Sequence, residues 1–326
     1  MRLKATLQDV AGAGGQTRST AIRIGQITAI AGATRREIEW IAVGLSARGY
    51  TTAATPHFVV CRQQAAPDQA LILHTFNERT IDEDLAGIIG EELGSVVVTT
   101  ARDFSDALHA ILGSACPDRS PLERWRRYGL NTLDRLRTLL DQEPRDAGTS
   151  SHIPQFAAIY GRVLRHLTGR SLLDVGTSLG FLPILVAERR PGSRVMGCDL
   201  RQEVITCARD LARAARVRGV RFLVRDVLEP DFHRLGAFDT VTAVHLLEHL
   251  DEEQMVMATT NLLQVAAHRL IVAVPYESRP QPHYGHALAF TPERLQRLGE
   301  WCLERSGGGR FWCEEVSGGL LVVDRD

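Results

Sequence analysis

One segment, residues 171–183, constrains the fold more than any other part of the chain. It begins with a short apolar run that ends at an acid, Asp174. The chain continues through Gly176 and Gly180 and then becomes an apolar segment with helical periodicity. This pattern predicts a buried strand, a tight loop and a helix. The glycines of such a loop permit left-handed backbone angles, and the N–H groups at the helix N-terminus point at whatever lies above the strand.

Three later apolar runs are also predicted strands that end at polar residues. The first ends at Asp199, the second at Asp226, and the third leads to His245 and His249. The carboxyl ends of parallel strands meet at one edge of a sheet, where open α/β folds bind their ligands. A carboxylate at that edge can accept two hydrogen bonds and therefore suits a vicinal diol. These polar groups are expected to share one binding site.

Asp174, the two glycines and the later acids resemble the motifs of the class I S-adenosylmethionine-dependent methyltransferases, over roughly residues 160–326. The resemblance implies an α/β fold, with a Rossmann-like seven-stranded domain that ends in an antiparallel hairpin of residues 310–314 and 320–324. Ser178 departs from the first motif, where glycine is usual. Its hydroxyl can still donate to a ligand carboxylate if its backbone angles are ordinary. A dinucleotide-binding fold is the alternative, but its G-x-G-x-x-G spacing is not seen here.

The resemblance also implies which residues bind the cofactor, S-adenosylmethionine. Asp199 would hold the ribose hydroxyls, Asp226 would meet the adenine amine, and His245 would border the cofactor. The predicted cofactor-binding set is Asp174, Gly176, Thr177, Ser178, Gly180, Asp199, Leu200, Asp226, Val227 and His245.

Histidines are the candidates for removing a proton from the methyl acceptor, because imidazole titrates near neutral pH. Residues 246–249, Leu-Leu-Glu-His, resemble a segment of small-molecule methyltransferases that would place His249 on the acceptor side. Residues 282–286 resemble a segment near the acceptor in sugar and other small-molecule O-methyltransferases, which makes His286 the second candidate catalytic residue. His283 lies in the same segment. Each histidine could equally be a hydrogen-bonded structural residue. Glu248 and His249 are adjacent, so their side chains diverge and no dyad is assumed.

The expected acceptor is a hydroxyl group of a small molecule, a sugar or an oligosaccharide. The fourth strand lacks the Asn/Asp-Pro-Pro-Tyr/Phe tetrad of enzymes that methylate amide or adenine nitrogen, which argues against nucleic acid. A looser resemblance points to the methyltransferases of the mycofactocin oligosaccharide. The alternatives are an N- or C-methyltransferase of the ubiquinone-biosynthesis kind and a sensor or scaffold that binds the cofactor without turnover. No metal site is assigned, although Mg²⁺ held by Asp226 and Glu248 is a further alternative.

The N-terminal part, residues 1–150, is predicted to be a separate small α/β module that binds a substrate or a partner. After a loosely ordered start over residues 1–20, its predicted order is α-β-β-α-β-α, with Thr34 as the first helix N-cap and residues 95–100 as the last strand. A helix over residues 120–141 carries an aromatic stripe that should pack against the catalytic domain. Residues 142–152 have the composition of a linker, so the methyltransferase domain is assigned to residues 151–326.

Composition excludes several classes of protein. The chain has 326 residues, 44% of them apolar, and a formal net charge of −1. This charge gives no basic field for nucleic acid or an anionic membrane. The six cysteines form no C-x-x-C pair, so neither a zinc site nor a disulfide framework is indicated. Without a signal peptide or a spanning segment, a cytoplasmic protein is expected, with a small-molecule or glycan acceptor, no membrane partner and a possible homodimer.

Overall fold

The computed structural model describes residues 20–94, 96–140, 142 and 151–326. These residues fall into two compact units. The first contains the described residues up to Asn131 together with Pro282–Tyr284, and the second contains Thr132–Gln281 and Gly285–Asp326. The expected loose start and the expected boundary near residue 150 lie almost entirely outside the described residues and stay predictions. No helix in the described ranges is long and apolar enough to cross a membrane.

The described part of the first unit is built on a five-stranded sheet in the order β1-β2-β5-β4-β3. β2 and β5 are parallel, and all other neighbours are antiparallel. The strands are β1 (Ala21–Ile24), β2 (Ile27–Ala31), β3 (Tyr50–Ala54), β4 (Phe58–Gln63) and β5 (Ala66–His74). The helices are α1 (Arg35–Ser46), α2 (Asp84–Leu93), α3 (Ala101–Ala115) and α4 (Pro121–Leu140), the last of which continues into the second unit.

The start of α1 confirms the predicted N-cap. The Thr34 hydroxyl accepts a hydrogen bond from the Glu37 N–H at 3.2 Å. The Glu37 carboxylate accepts from the N–H of Ala33 at 2.6 Å. Burial of the helix stripe against the sheet then fixes its rotation. Its buried side chains are Ile38, Ile41, Ala42 and Leu45, which share one core cluster with residues of β2, β4 and β5.

Two predictions for this unit need correction. Residues 95–100 are not a strand in their described part, because the N–H groups of Val96, Val97 and Val98 all turn back to the carbonyl of Leu93 at the end of α2. Valine propensity is overridden there by the helix-ending turn. The aromatic stripe of α4 does pack as core, but in the first unit. Tyr128 is buried and its hydroxyl donates to Glu83 at 3.0 Å.

The second unit contains a seven-stranded sheet in the order β11-β12-β10-β9-β6-β7-β8 among its described residues. The strands are β6 (Ser171–Val175), β7 (Arg194–Asp199), β8 (Val220–Val224), β9 (Phe238–Val244), β10 (Ala266–Val274), β11 (Arg310–Glu315) and β12 (Gly319–Asp324). β6 to β10 are parallel, and β12 is antiparallel to both of its neighbours. The predicted parallel sheet with a terminal hairpin is therefore confirmed.

Helices connect β6 to β7, β7 to β8 and β9 to β10, whereas the connection from β8 to β9 contains only the short 3-10 turn Phe232–Leu235. The helices of this unit are α5 (His152–His166), α6 (Phe181–Arg189), α7 (Gln202–Ala214), α8 (Glu252–Val265) and α9 (Pro292–Ser306). The central strands are buried on both faces, which explains their continuous apolar sequences. The chain moves to opposite sides of the sheet after β6 and after β9, so a switch point lies between these two neighbours.

The strand register brings the candidate residues to one edge. Val175 at the end of β6 pairs with Cys198 of β7 and with Ala243 of β9. The residues that follow these three therefore leave the sheet at the same level. They are Gly176, Asp199 and Val244, and each precedes or belongs to a predicted site segment.

Candidate functional site

The loop after β6 has the tight geometry that its glycines predict. Gly176 and Gly180 have φ angles of 72° and 79°. A Cβ on Gly180 would lie 2.5 Å from the ring of Phe222, and one on Gly176 would lie 2.9 Å from the Leu246 side chain. Both positions therefore require glycine for backbone conformation and for space. Gly180 is also the residue from which α6 begins.

Asp174 supports this loop from below. Its side chain is buried and accepts hydrogen bonds from the hydroxyls of Thr177 and Thr242, each at 2.7 Å. Burial raises the pKa of Asp174 to about 6, although the two hydroxyl groups oppose that rise. Asp174 therefore shapes the loop through these two hydrogen bonds.

Ser178 adopts a conformation that the sequence did not predict. Its φ is 48°, in the left-handed region, so the condition of ordinary backbone angles is not met. A non-glycine residue in this region costs roughly 1 to 2 kcal/mol. The side chain is exposed, and the N–H donates to Asp199 Oδ2 at 3.2 Å. The strained turn is held by this bond to the end of the next strand.

Asp199 has the geometry of a diol-binding carboxylate. It is 7% exposed, and each oxygen accepts one backbone hydrogen bond, Oδ2 from Ser178 and Oδ1 from Arg201 at 3.0 Å. Each oxygen retains a second lone pair. The next residue, Leu200, is apolar yet 63% exposed, which suits an aromatic ring lying over it. These residues fit the ribose and adenine of the cofactor.

Asp226 follows β8 at the same edge of the sheet. Its Oδ1 accepts from the N–H of Leu228 at 2.9 Å, which forms a turn, and Val227 is buried in the core of the unit. This turn fixes the carboxylate of Asp226 and leaves its other oxygen available to an amine donor. This geometry fits the hydrogen bond to the adenine amine that the resemblance implies for Asp226.

The turn after β9 places three polar side chains together. Glu248, His249 and His286, which we call the Glu–His cluster, each offer one ligand atom, and these atoms lie within 4.8 Å of one another. The rings of His249 and His286 meet edge to face with their centroids 5.0 Å apart. The carbonyl of Glu248 accepts from the N–H groups of Ala287 and Leu288 at 2.7 and 3.0 Å. These two bonds bring the segment of His286 against the turn after β9.

Each member of the cluster has its own orienting partner. The His245 ring donates to Glu248 Oε1 at 2.9 Å, His249 Nδ1 donates to the carbonyl of Gly285 at 3.3 Å, and His286 Nδ1 contacts both carboxylate oxygens of Glu277 at 3.0 and 2.9 Å. Glu248 therefore pairs with His245, three residues before it. Glu277 was not predicted, since nothing in its sequence surroundings marks it.

The electrostatics favour a charged Glu248 and a neutral His249. Burial opposes ionisation of Glu248, but the hydrogen bond from His245 and the nearby imidazoles outweigh it and hold its pKa below the ordinary value. Burial by the surrounding protein atoms lowers the pKa of His249 below 6.5, although part of its ring remains exposed. His249 is therefore uncharged at neutral pH, and solvent can reach the exposed part of its ring.

Other predicted residues lie apart from this cluster. The ring of His283 contacts that of Tyr284 in a tilted arrangement, 4.2 Å between centroids, in the segment that groups with the first unit. Tyr160 on α5, which is not one of the predicted site residues, is buried. Phe156 on the same helix meets the His245 ring edge to face at 5.4 Å and was missed from the sequence. Asp226, suggested above as a metal ligand, is not in the described group whose ligand atoms converge.

The profile of one protein family, described as a methyltransferase domain, matches residues 172–268. Residues 172–268 form a methyltransferase domain. The domain is of the class I type, and the cofactor of this class is S-adenosylmethionine. The fold and the cofactor that the sequence motifs implied are therefore confirmed at this level.

Two curated relatives are similar to part of the chain. Demethylmenaquinone methyltransferase of Thermus thermophilus is 31% identical over 123 residues, which are 37% of this chain and 53% of the relative. Ubiquinone biosynthesis O-methyltransferase of Cronobacter sakazakii is 33% identical over 103 residues, 31% of this chain and 41% of the relative. The chain thus spans about half, or less, of the length of these relatives.

A solved structure gives a further likeness. Magnesium protoporphyrin IX methyltransferase from Synechocystis PCC 6803, crystallised with S-adenosylmethionine, aligns with 59% of this chain and 90% of its own length. Its sequence identity is 19% and the TM-score is 0.43.

Proposed function

We propose that the methyltransferase domain transfers a methyl group from S-adenosylmethionine to a hydroxyl oxygen of a small molecule. The observation that carries this proposal is the Glu–His cluster. Glu248 and His249 follow β9, and His286 follows β10, at the edge of the sheet where Asp199 and the glycine loop also lie. A polar cluster beside a cofactor site supplies what an oxygen acceptor needs, namely alignment with the methyl group and loss of a proton.

The cofactor supplies a methyl group on a positively charged sulfur, and transfer is an in-line displacement. In our proposal Asp199 accepts hydrogen bonds from both ribose hydroxyls, and Leu200 lies against the adenine ring. Asp226 accepts from the adenine amine, next to Val227. The loop with Gly176, Thr177 and Gly180 then lies along the amino-acid end of the cofactor. Ser178 belongs to the same loop, but its left-handed backbone does not meet the condition set above for donation to the carboxylate. His245 borders the cofactor.

His249 is our first candidate to accept the proton of the acceptor hydroxyl. Donation from its Nδ1 to Gly285 places the lone pair on Nε2. His286, oriented by Glu277, is the second candidate. A base with a pKa below 6.5 is weak towards a hydroxyl, since even a phenol has a pKa of about 10. The proposal therefore needs the proton to leave as the new C–O bond forms, or a second group that acidifies the hydroxyl.

The acceptor that we favour is a sugar or an oligosaccharide. The names of the two relatives favour a second candidate, a quinone precursor with a phenolic hydroxyl or a carbon acceptor. A domain that binds the cofactor as a sensor or scaffold without turnover is the third. We further propose that the protein is cytoplasmic, that it forms a homodimer, and that its first unit serves substrate or partner binding.

The test has two steps with the full chain. Calorimetric titration with S-adenosylhomocysteine is expected to give micromolar binding, and mass spectrometry then follows methyl transfer to a panel of glycosides and phenols. His249→Gln should leave this binding unchanged and slow transfer by roughly 10²- to 10⁴-fold. His268→Gln, which alters an exposed histidine at the start of β10, is the matched control. Unchanged transfer by the His249 variant would move the role to His286, and no binding of the cofactor product would overturn the proposal.

A further inference from the structure

The Glu–His cluster contains a buried carboxylate oxygen without a hydrogen-bond partner. The Glu248 side chain is fully buried, and its Oε1 accepts from His245. Its Oε2 accepts no hydrogen bond from any residue that the structure describes. A buried ionised oxygen in this state is costly, and native structures normally satisfy it with a donor, a water or a cation. Glu248 therefore lacks one positively polarised partner.

The two imidazoles of the cluster are oriented as ligands. The Nδ1 atoms of His249 and His286 are engaged by the carbonyl of Gly285 and by the carboxylate of Glu277. A neutral imidazole with its proton on Nδ1 has its lone pair on Nε2. Histidines that bind metals are oriented in this way, by donating the other ring N–H to a carbonyl or a carboxylate. Both types of orienting partner are present here.

Backbone strain lies at the same place. His245, whose ring orients Glu248, has a φ of 51°, an unfavourable angle for a side chain of this size. Its N–H donates to the carbonyl of Ala273 at 2.9 Å, and its ring is bonded to Glu248. Strain of this kind clusters at functional sites, where the surroundings impose it. Here the strained His245 holds its ring in place, and the hydrogen bond from that ring fixes the direction of the Glu248 carboxylate.

We infer that the Glu–His cluster binds one divalent first-row transition-metal cation, with Glu248 Oε2, His249 Nε2 and His286 Nε2 as its ligands. One carboxylate oxygen and two imidazole nitrogens suit Mn²⁺, Fe²⁺, Co²⁺ or Zn²⁺ better than Mg²⁺ or Ca²⁺, which prefer oxygen alone. The solvent-exposed side of His249 leaves coordination positions that ligands from solution can reach. This part of the inference stands on the geometry of the cluster alone.

The consequence for catalysis rests on the proposed function. A hydroxyl oxygen bound to the cation loses its proton to solvent more readily, because the cation stabilises the oxyanion. The O–H bond breaks, the oxygen takes the methyl group as the C–S bond breaks, and S-adenosylhomocysteine remains. His249 and His286 are then ligands, and the cation replaces the histidine base. Acceptors with two neighbouring hydroxyls, a vicinal diol or a catechol, would chelate the cation and be preferred.

The first test titrates the full chain, freed of metal by chelation, with Co²⁺ alone. We expect one calorimetric site and the visible absorption bands of nitrogen- and oxygen-bound Co²⁺. Glu248→Gln keeps the shape of the side chain and is expected to weaken Co²⁺ binding at least 100-fold, and His286→Gln should do the same. His268→Gln, at the exposed histidine, should leave it unchanged. No Co²⁺ binding, or equal binding by the Glu248 and His268 variants, overturns the cation site.

Thermal unfolding separates loss of the site from loss of the fold. Co²⁺ should raise the Tm of the wild-type chain, since a ligand that binds the folded state stabilises it, and should not raise that of Glu248→Gln. Metal-free Glu248→Gln should melt no lower than the metal-free wild type, because it no longer buries an uncompensated charge. A Tm rise of equal size in both proteins contradicts the assignment.

S-adenosylhomocysteine titration distinguishes the two proposals. If the chain binds the cofactor product but not Co²⁺, the proposed cation site is overturned and the proposal of a histidine base stands. If the chain binds Co²⁺ but not the cofactor product, the proposed methyl transfer is overturned and the metal site stands. Where both bind, transfer that is lost with a chelator and restored by Mn²⁺ or Co²⁺ supports the catalytic role. Transfer that a chelator leaves unchanged overturns that role.

Discussion

Replacing Asp199 with alanine is expected to weaken the binding of S-adenosylhomocysteine by roughly two to four orders of magnitude. Each carboxylate oxygen of Asp199 already accepts one backbone N–H and retains one lone pair for a ribose hydroxyl. Hydrogen bonds to charged groups contribute about 1.5 to 3 kcal/mol each, so the loss of two costs about 3 to 6 kcal/mol. One tenfold change in Kd corresponds to about 1.4 kcal/mol.

Isothermal titration calorimetry of the full chain measures this change. Asp199→Ala also removes the acceptor for the Ser178 N–H, so a control must lose a similar loop anchor elsewhere. Asp239 provides it at the opposite end of the sheet, because its Oδ2 accepts from the N–H groups of Arg170 and Ser171 at 2.7 and 2.8 Å. Asp239→Ala should bind as the wild type does. An Asp199→Ala affinity within threefold of wild type would refute the assignment of the ribose site.

Two further predictions concern the packing of each unit. Burial lowers the pKa of His74 to about 3. Below pH 6.5 the unfolded chain therefore binds a proton at this histidine while the folded chain does not. The free energy of unfolding should fall as the pH drops from 6.5 towards 3, by about 2 kcal/mol at pH 5. Denaturant unfolding at pH 7 and pH 5 should show this loss, and His74→Asn should reduce it; an unchanged pH dependence in the variant contradicts the cause. Gly180→Ala should lower stability by about 2 to 4 kcal/mol, from a left-handed backbone angle and overlap with Phe222, and lower the Tm in calorimetry. Gly219→Ala, also left-handed but with open space around it, is the matched control, and an equal loss in both would exclude the overlap as a cause.

The fold of the second unit could be predicted from its sequence because its parallel strands combine an apolar run with a polar residue at or just after the end of that run. β7 ends at Asp199 and β9 leads directly to His245, as predicted, because a largely apolar run meets a polar residue at the sheet edge in both cases. The first unit has weaker signals. The hairpin of β1 and β2 was missed, although Gly25, with a φ of 53°, marks its turn. Its strands are short and alternate little.

The site was predictable where one segment contains the whole motif, and less so where distant segments meet. The glycine loop and Asp199 lie near one another in sequence and in space. Glu277 reaches His286 only because Tyr276 forms a bridge with Phe290 and the Glu277 N–H donates to the Phe290 carbonyl at 3.0 Å. The left-handed angles of Ser178 and His245 also depend on tertiary contacts, so the sequence gives no sign of them.

The position of β12 has a consequence for how the protein is made. β12 follows β11 in the chain but lies between β10 and β11 in the sheet. While the ribosome is still adding β12, β11 has no strand to pair with, and β10 has an open edge whose residues, such as Val272, are fully buried in the finished protein. Unpaired apolar edges of this kind invite aggregation. The sheet can therefore close only after translation has passed Asp324, and until then the apolar edge of β10 stays open to pairing with other chains.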